Sequence, residues 1–318
     1  MPNAYPSTVT VNVGALSIED VVAVARYGAK VEIAPEALEE VAATRERVEE
    51  LAQDPTPVYG ISTGFGALAR RHIPEEMRAQ LQLSLVRSHA AGTGPEVEEE
   101  VIRALMLLRL STLCTGRTGV RPVVVETYAK ALNAGIVPVV REYGSLGCSG
   151  DLAPLAHCAL ALLGEGEVRV NGELQDAGEA LAAAGIEPLQ LREKEGLALI
   201  NGTDGMLGQL CLAITDLRAA AKTADIATAM TVEGLLGTLV VFADDLQQLR
   251  PHPGQADAAA NILQVAEGSE ILEAALEEFK KNQVQDAYSV RCAPQVAGGF
   301  RDTLAHTVQV AERELAAA

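Results

Sequence analysis

The reading of this chain turns on the stretch Gly144-Ser145-Leu146-Gly147-Cys148-Ser149-Gly150-Asp151-Leu152-Ala153-Pro154-Leu155-Ala156-His157. Glycines on either side of Cys148 and Ser149 let the main chain bend into conformations closed to other residues. From Leu152 the sequence turns apolar and helix-forming, and Gly164 closes that run. Asp151 suits the helix N-cap, and Pro154 is tolerated in a first turn. The loop therefore delivers Ser149 to the positive end of a helix. On these residues alone several readings stay open. One is an anion-holding turn. A hydrolase nucleophile is another, although Asp151 stands where G-x-S-x-G requires its second glycine. A third is Cys148 as a low-pKa nucleophile at a helix start, with no upstream His tied to it by a local pattern.

Outward from this loop the pattern is helical. Ala34-Pro35 opens a helix with Leu38, Val41, Val48 and Leu51 on one face. Further helices are expected over 75–90, 96–114 and 119–134, and long ones over 203–222, 224–248, 256–280 and 294 to the end. A short alternating strand runs from Thr8 to Val13. The Asn171-Gly172 pair between Val168–Val170 and Glu173–Gln175 gives the clearest hairpin. Tyr59 to Gly66 (YGISTGFG) is too rich in Gly and Ser for a regular element and reads as an ordered loop. RPHPGQ, from Arg250 to Gln255, reads as a rigid, proline-bounded turn. The final run, DTLAHTVQVAERELAAA, carries no C-cap signal, so the chain is expected to end inside a helix.

Composition narrows the classes. The chain has 318 residues, 48% of them hydrophobic, with no Trp and 3% aromatic, so the core is built mainly from Ala, Leu and Val. That favours helix packed on helix. The net charge of -18, from 25 basic and 43 acidic side chains, repels phosphate backbones and argues against nucleic acid. Five Cys (114, 148, 158, 211 and 292) show neither C-x-x-C nor a zinc-ligand spacing, which reads as reduced thiols, with no metal expected. No signal peptide is evident at the start, and the apolar stretches are read as broken by charges or glycines before they span a membrane. A cytoplasmic protein follows.

GSLGCSGDLAPLAH is very similar to the signature of the histidine and aromatic amino-acid ammonia-lyase family, and four further blocks follow in family order. YGISTGFG resembles the family's catalytic Tyr loop, and RSHAAGTG its substrate-selecting segment. LALINGTD resembles the block with its cofactor-supporting Asn, and VQDAYSVRCAPQV its carboxylate-binding stretch. The blocks cover nearly the whole chain from Tyr59 onward. The resemblance implies a mainly α fold of the fumarase/aspartase-like kind. An N-terminal α-rich domain with a few short strands and a hairpin (residues 1–195) would carry the cofactor loop. The first part of a central helical bundle (196–318) would follow. It also implies that Cys148-Ser149-Gly150 cyclises and dehydrates to a 4-methylidene-imidazol-5-one (MIO). The Gly150 nitrogen would close onto the Cys148 carbonyl, and Ser149 would lose its hydroxyl to become an exocyclic methylene. Cys148 departs from the family's usual Ala, but its side chain stays outside the ring.

The reaction so implied removes a β-proton of low acidity and expels ammonia, a poor leaving group. A backbone-derived electrophile answers the second difficulty and a positioned base the first. By resemblance Tyr59 is the base, although alone it would read as a loop anchor. Asn201 would bond the ring or the substrate, against the plainer reading of an Asn-Gly turn. Arg291 would pair the substrate carboxylate through its fork, with Gln285 and Tyr288 orienting it. Ser88-His89 resembles the histidine-selective members, where tyrosine- and phenylalanine-selective relatives carry His-Leu or Phe-Leu. His89 would then bond the imidazole of L-histidine, giving trans-urocanate. Its alternative is a helix-end cap. His157, His72, His252 and His306 read as structural or solvated. Family members continue past the point where this chain stops, contributing a pocket Phe and Glu, and build their sites from several subunits of a homotetramer. The chain reads as a truncated member. A tyrosine or phenylalanine lyase or aminomutase, and a catalytically silent helical fragment, remain as alternatives.

Overall fold

The computed structural model describes residues 5–147, 150–282 and 284–317. By compactness it forms two units, Met1–Leu212 with Ala311–Ala318, and Ala213–Val310. The architecture is mainly helical, as expected.

The first unit opens with a parallel pair, β1 (Thr8–Val11) and β2 (Lys30–Ile33), joined through α1 (Ile18–Tyr27). Ser17 and Asp20 form a capping box at the start of α1, and Gly28 in the left-handed region ends it. Pro35 opens α2 (Pro35–Gln53) as its spacing predicts. Next come α3 (Glu75–His89), β3 (Thr93–Glu96) and α4 (Glu99–Cys114). Helix α4 starts three residues later than expected, because β3 first takes residues 93–96 into a ladder. Eleven residues of α4 between Ile102 and Cys114 are buried, making it the core helix of this unit. Packed with it are α1 and α5 (Pro122–Asn133).

β4 (Ile136–Pro138) and β5 (Arg141–Tyr143) follow, then α6 (Leu152–Leu162). The expected hairpin is present as β6 (Glu167–Val170) and β7 (Glu173–Asp176), turning at Asn171 and Gly172. β4 joins it on the far side of β6, while β5 pairs antiparallel with β3. After α7 (Ala177–Ala183) and α8 (Glu195–Ile200) comes α9 (Asp204–Gly234). The four described cysteines are free thiols. Burial pushes Cys114 and Cys211 up to about 12.

Three expectations are corrected here. Helix α9 is a single helix of 31 residues, because Lys222-Thr223-Ala224 holds no breaker. It ends near Gly234, and Leu236 adopts φ 56 beyond it. The remainder of the expected 224–248 helix is a 3-10 turn, Val240–Phe242, and the short α10 (Asp244–Gln247). The expected 256–280 helix is two, α11 (Pro253–Val265) and α12 (Glu270–Asn282), divided at Gly268 with φ 74. Finally, residues 195–234 are long and apolar enough to cross a membrane by length and composition, their most apolar 18-residue window reaching a mean hydropathy of 1.3. From Gly196 to Thr215 only Asp204 is charged, and that carboxylate is buried against Arg109.

The second unit packs Val232, Phe242, Ala259, Ile262, Leu272 and Val290 into its core. Val290 belongs to α13 (Tyr288–Arg291), which leads into α14 (Ala293–Leu315).

Candidate active site

Cys148 and Ser149 lie outside the described residues. Gly150 does not, and its surroundings are restrictive. It is buried with φ +115, and a Cβ there would overlap the carbonyl of Gly202. The next amide, Asp151 N–H, donates to that same carbonyl at 2.7 Å. Only glycine fits a position with both this φ and this approach. The Asn201-Gly202 turn is therefore packed flush on Gly150.

Asp151 corrects the reading from its position. Its side chain does not cap α6. One oxygen accepts the Ser145 hydroxyl at 2.6 Å, and the other accepts the N–H groups of Gly205 and Met206 at 2.7 and 3.0 Å. It caps the first turn of α9 instead, where two main-chain donors outcompete its own helix. The C-terminal end of the loop is thereby braced against residues 202–206, and Ser145 near its other end is tied to Asp151.

Beneath the turn sits Arg109, which sequence reading missed. It is 2% exposed and donates to Asn201 O at 2.8 Å and Ala198 O at 3.3 Å, the carbonyl end of α8. Its other nitrogen lies 3.4 Å from Asp204 Oδ2, an ion pair without hydrogen-bond alignment. Burial raises the Asp204 carboxyl above its ordinary range, and Arg109 only partly offsets this. A lone Arg within the apolar run Leu105–Cys114 was the available signal.

Tyr59 is 51% exposed; its ring meets Phe65 edge-on at 5.9 Å, and its hydroxyl accepts the Gly66 N–H at 3.4 Å. Its loop is tied to the start of α8 through Gln82. The Gln82 amide donates to Gly60 O at 3.4 Å while its oxygen accepts Gly196 N–H at 2.9 Å. Asn201 is exposed as the C-cap of α8, and its carboxamide bonds no other described residue.

His89 ends α3. Its Nδ1 lies 2.9 Å from Leu85 O, and since a carbonyl only accepts, Nδ1 carries the proton and Nε2 is left unprotonated in the neutral ring. Ser88 Oγ donates to the same carbonyl at 2.9 Å. The Ser-His pair thus both caps the helix and fixes the ring.

In the second unit Gln285, Tyr288 and Arg291 form one cluster. The Arg291 guanidinium lies 4.0 Å over the Tyr288 ring and bonds Gln285 Oε1. Tyr288 is 71% exposed, while buried Val290 and the Asp286 carboxylate, which accepts Thr238 N–H at 2.9 Å, anchor the segment. The structure thus joins Gly150 to the Asn201 turn and Gln285 to Tyr288 and Arg291, each within its own unit.

The profile of the family described as aromatic amino acid lyase matches residues 16–318. A histidine ammonia-lyase of Streptomyces coelicolor is 61% identical over 98% of this chain and 60% of its own length. Among solved structures, the tyrosine aminomutase of Streptomyces globisporus superposes with a TM-score of 0.90 at 40% identity, over 98% of this chain and 62% of that one. The histidine ammonia-lyase of Trypanosoma cruzi gives a TM-score of 0.87 at 36% identity, over 98% and 57%. The chain spans about 60% of the length of the curated relatives it matches. With the family profile covering nearly all of it and the loop geometry in agreement, this chain belongs to the aromatic amino acid lyase family.

Proposed function

We propose that this chain is the part of a histidine ammonia-lyase that carries the electrophile, and that the whole protein converts L-histidine to trans-urocanate and ammonia in the cytoplasm. Residues 1–195 form the domain bearing the cofactor loop, and 196–318 begin a central helical bundle. The reading is supported by the names of its relatives at 60–61% identity. The observation that carries it is the packing of Gly150 onto Gly202.

That packing fits a cyclised Cys148-Ser149-Gly150. The Asp151 N–H is held by Gly202 O, so the 150–151 peptide is fixed in place while the Gly150 nitrogen closes onto Cys148. Once formed, the MIO ring supplies an electron-poor methylene that makes the substrate's amine a leaving group. The chain's own residues do the rest. The Nε2 of His89 faces the substrate imidazole as its hydrogen-bond partner, since Nδ1 is committed to Leu85 O. The phenolic oxygen of Tyr59 takes the β-proton, exchanging its long bond to Gly66 for the substrate. Asn201 offers its unengaged carboxamide to the ring or the amino acid. Arg291, already flattened on Tyr288 and held by Gln285, presents its fork to the substrate carboxylate. In a homotetramer, Tyr288 and Arg291 of one subunit serve the loop of another.

Ser88-His89 favours histidine over tyrosine or phenylalanine. Urocanate formation read by ultraviolet absorbance, with the three amino acids compared, tests that choice. Intact mass tests the ring. Wild-type protein should fall short of its sequence mass by two waters and Ser149→Ala should not. A wild-type mass equal to the sequence would end the proposal.

A further inference from the structure

His157 lies on α6, seven residues after Gly150, and is half-buried. Its Nε2 accepts the main-chain N–H of Gly92 at 3.1 Å. Because a backbone N–H only donates, Nε2 is unprotonated and the ring is neutral, with its proton on Nδ1. Burial and nearby Arg141 lower its pKa and hold that state. Gly92 is three residues beyond His89 and directly precedes β3. That strand pairs with β5, which leads into the cofactor loop, through Thr93↔Tyr143 and Glu96↔Arg141. At the same seam a methyl on Gly144 would lie 3.4 Å from Gly92 Cα and 3.0 Å from Ala153 Cβ. The segment that carries His89 and the loop that carries the electrophile therefore meet main chain to main chain. His157 supplies a side-chain hydrogen bond across this seam, beside the ion pair of Arg141 with Glu96 at 3.6 Å.

We infer that His157 is a positioning residue that sets where His89 stands relative to the Gly150 end of the loop, and so governs substrate affinity and choice without touching the substrate. The inference rests on the reading of His89 as the imidazole partner. The Gly92 N–H needs an acceptor at this point. Without one, the 90–92 segment shifts toward another acceptor or water and carries the end of α3 with it. Ring formation depends on Gly150, Asp151 and Gly202 on the other side of the loop and is unaffected.

The test compares His157→Leu, which removes the acceptor, with His157→Gln, whose amide oxygen can replace it, in the protein at its full natural length. His157→Leu should raise KM for histidine roughly tenfold with kcat changed far less. It should also speed hydrogen exchange at the Gly92 amide and keep the two-water mass deficit. His157→Gln should restore both KM and the slow exchange. If His157→Leu does not fold, His157→Asn takes its place, its shorter amide falling short of Gly92. An unchanged KM, a lost mass deficit, or a Gln variant that restores Gly92 protection but not KM would each overturn the inference. If the wild-type protein acts on another aromatic amino acid and not on histidine, the histidine reading fails. The same comparison on that substrate then judges His157 separately.

Discussion

The loop end at Gly150 and the cluster at Arg291 are built on opposite plans. Gly150 is buried, and what constrains it is main chain: its own φ of +115, the Gly202 carbonyl, and the donors at 205 and 206 that hold Asp151. Arg291 is held by side chains, a phenol ring beneath it and an amide beside it, in an exposed segment anchored through Val290 and Asp286. Under the proposed function, the difference follows from what each would have to do. A main chain that reacts with itself must be fixed before the reaction, and only close packing fixes a backbone. A carboxylate arriving from solvent needs donors that are prearranged but open. Substitutions in the first region should therefore abolish an event outright, and those in the second should weaken binding while the fold persists.

The sharpest break of this contrast is Gly150→Ala. A Cβ at that φ, against the Gly202 carbonyl, cannot be accommodated without moving the 201–202 turn. The expected result is complete loss of the two-water mass deficit, read by intact mass spectrometry. A deficit surviving in Gly150→Ala would show that the loop is not set by this contact.

Arg109→Met should come next in size. It strands the buried Asp204 carboxylate and frees two carbonyls at the end of α8, a loss of about 3–5 kcal/mol by analogy with broken buried ion pairs. Urea unfolding measures it. A loss under about 1 kcal/mol would mean that water readily replaces the guanidinium.

How far these regions were legible in the sequence differs in the same way. The hairpin at Asn171-Gly172 and helix α2 behind Pro35 were readable because their signals are local: a dipeptide suited to positive φ and a proline at a first turn. The pairing of β3 with β5 was not, since strands of three or four residues, one containing Gly94 and Pro95, show no alternation. Asp151 looked like a cap for the helix it precedes. Its true partners, Gly205 and Met206, lie more than fifty residues onward, and no local pattern announces them. His157 read as structural for the same reason, its partner being sixty-five residues back. The Gln285, Tyr288 and Arg291 grouping was legible only through resemblance, because the spacing alone does not stack a guanidinium on a ring.

Arg291→Ala should separate binding from folding. With Arg291 partly buried and its partners Gln285 and Tyr288 exposed, stability should change by less than about 1 kcal/mol. KM for the amino acid should rise by roughly 10- to 100-fold, the loss of a charged hydrogen bond of about 1.5–3 kcal/mol. Arg291→Lys should recover only part of this, because an ammonium lacks the fork and stacks less well on Tyr288. A large stability loss in Arg291→Ala would instead make this cluster part of the fold, and the contrast with Gly150 would fail.

The smallest effect is expected from pH. Burial, and then Arg141, depress the His157 pKa from 6.5 in the folded chain. Between the ordinary histidine value and the lower folded one, the unfolded chain binds the proton and the folded chain does not. Stability therefore falls as pH drops through that window and is fully retained above it. Protonation would turn the Nε2 acceptor into a donor facing the Gly92 N–H. Loss of protection at the Gly92 amide should accordingly track the same titration while the amides near Gly150 stay protected. Urea midpoints and amide exchange on the acid side of neutrality, compared with His157→Gln, isolate the contribution: the Gln variant has no proton to gain and should show a flatter profile. Identical profiles for the two proteins would place the pH dependence elsewhere, and the link between the His89 segment and the loop would then rest on the β3–β5 ladder and the Glu96–Arg141 ion pair.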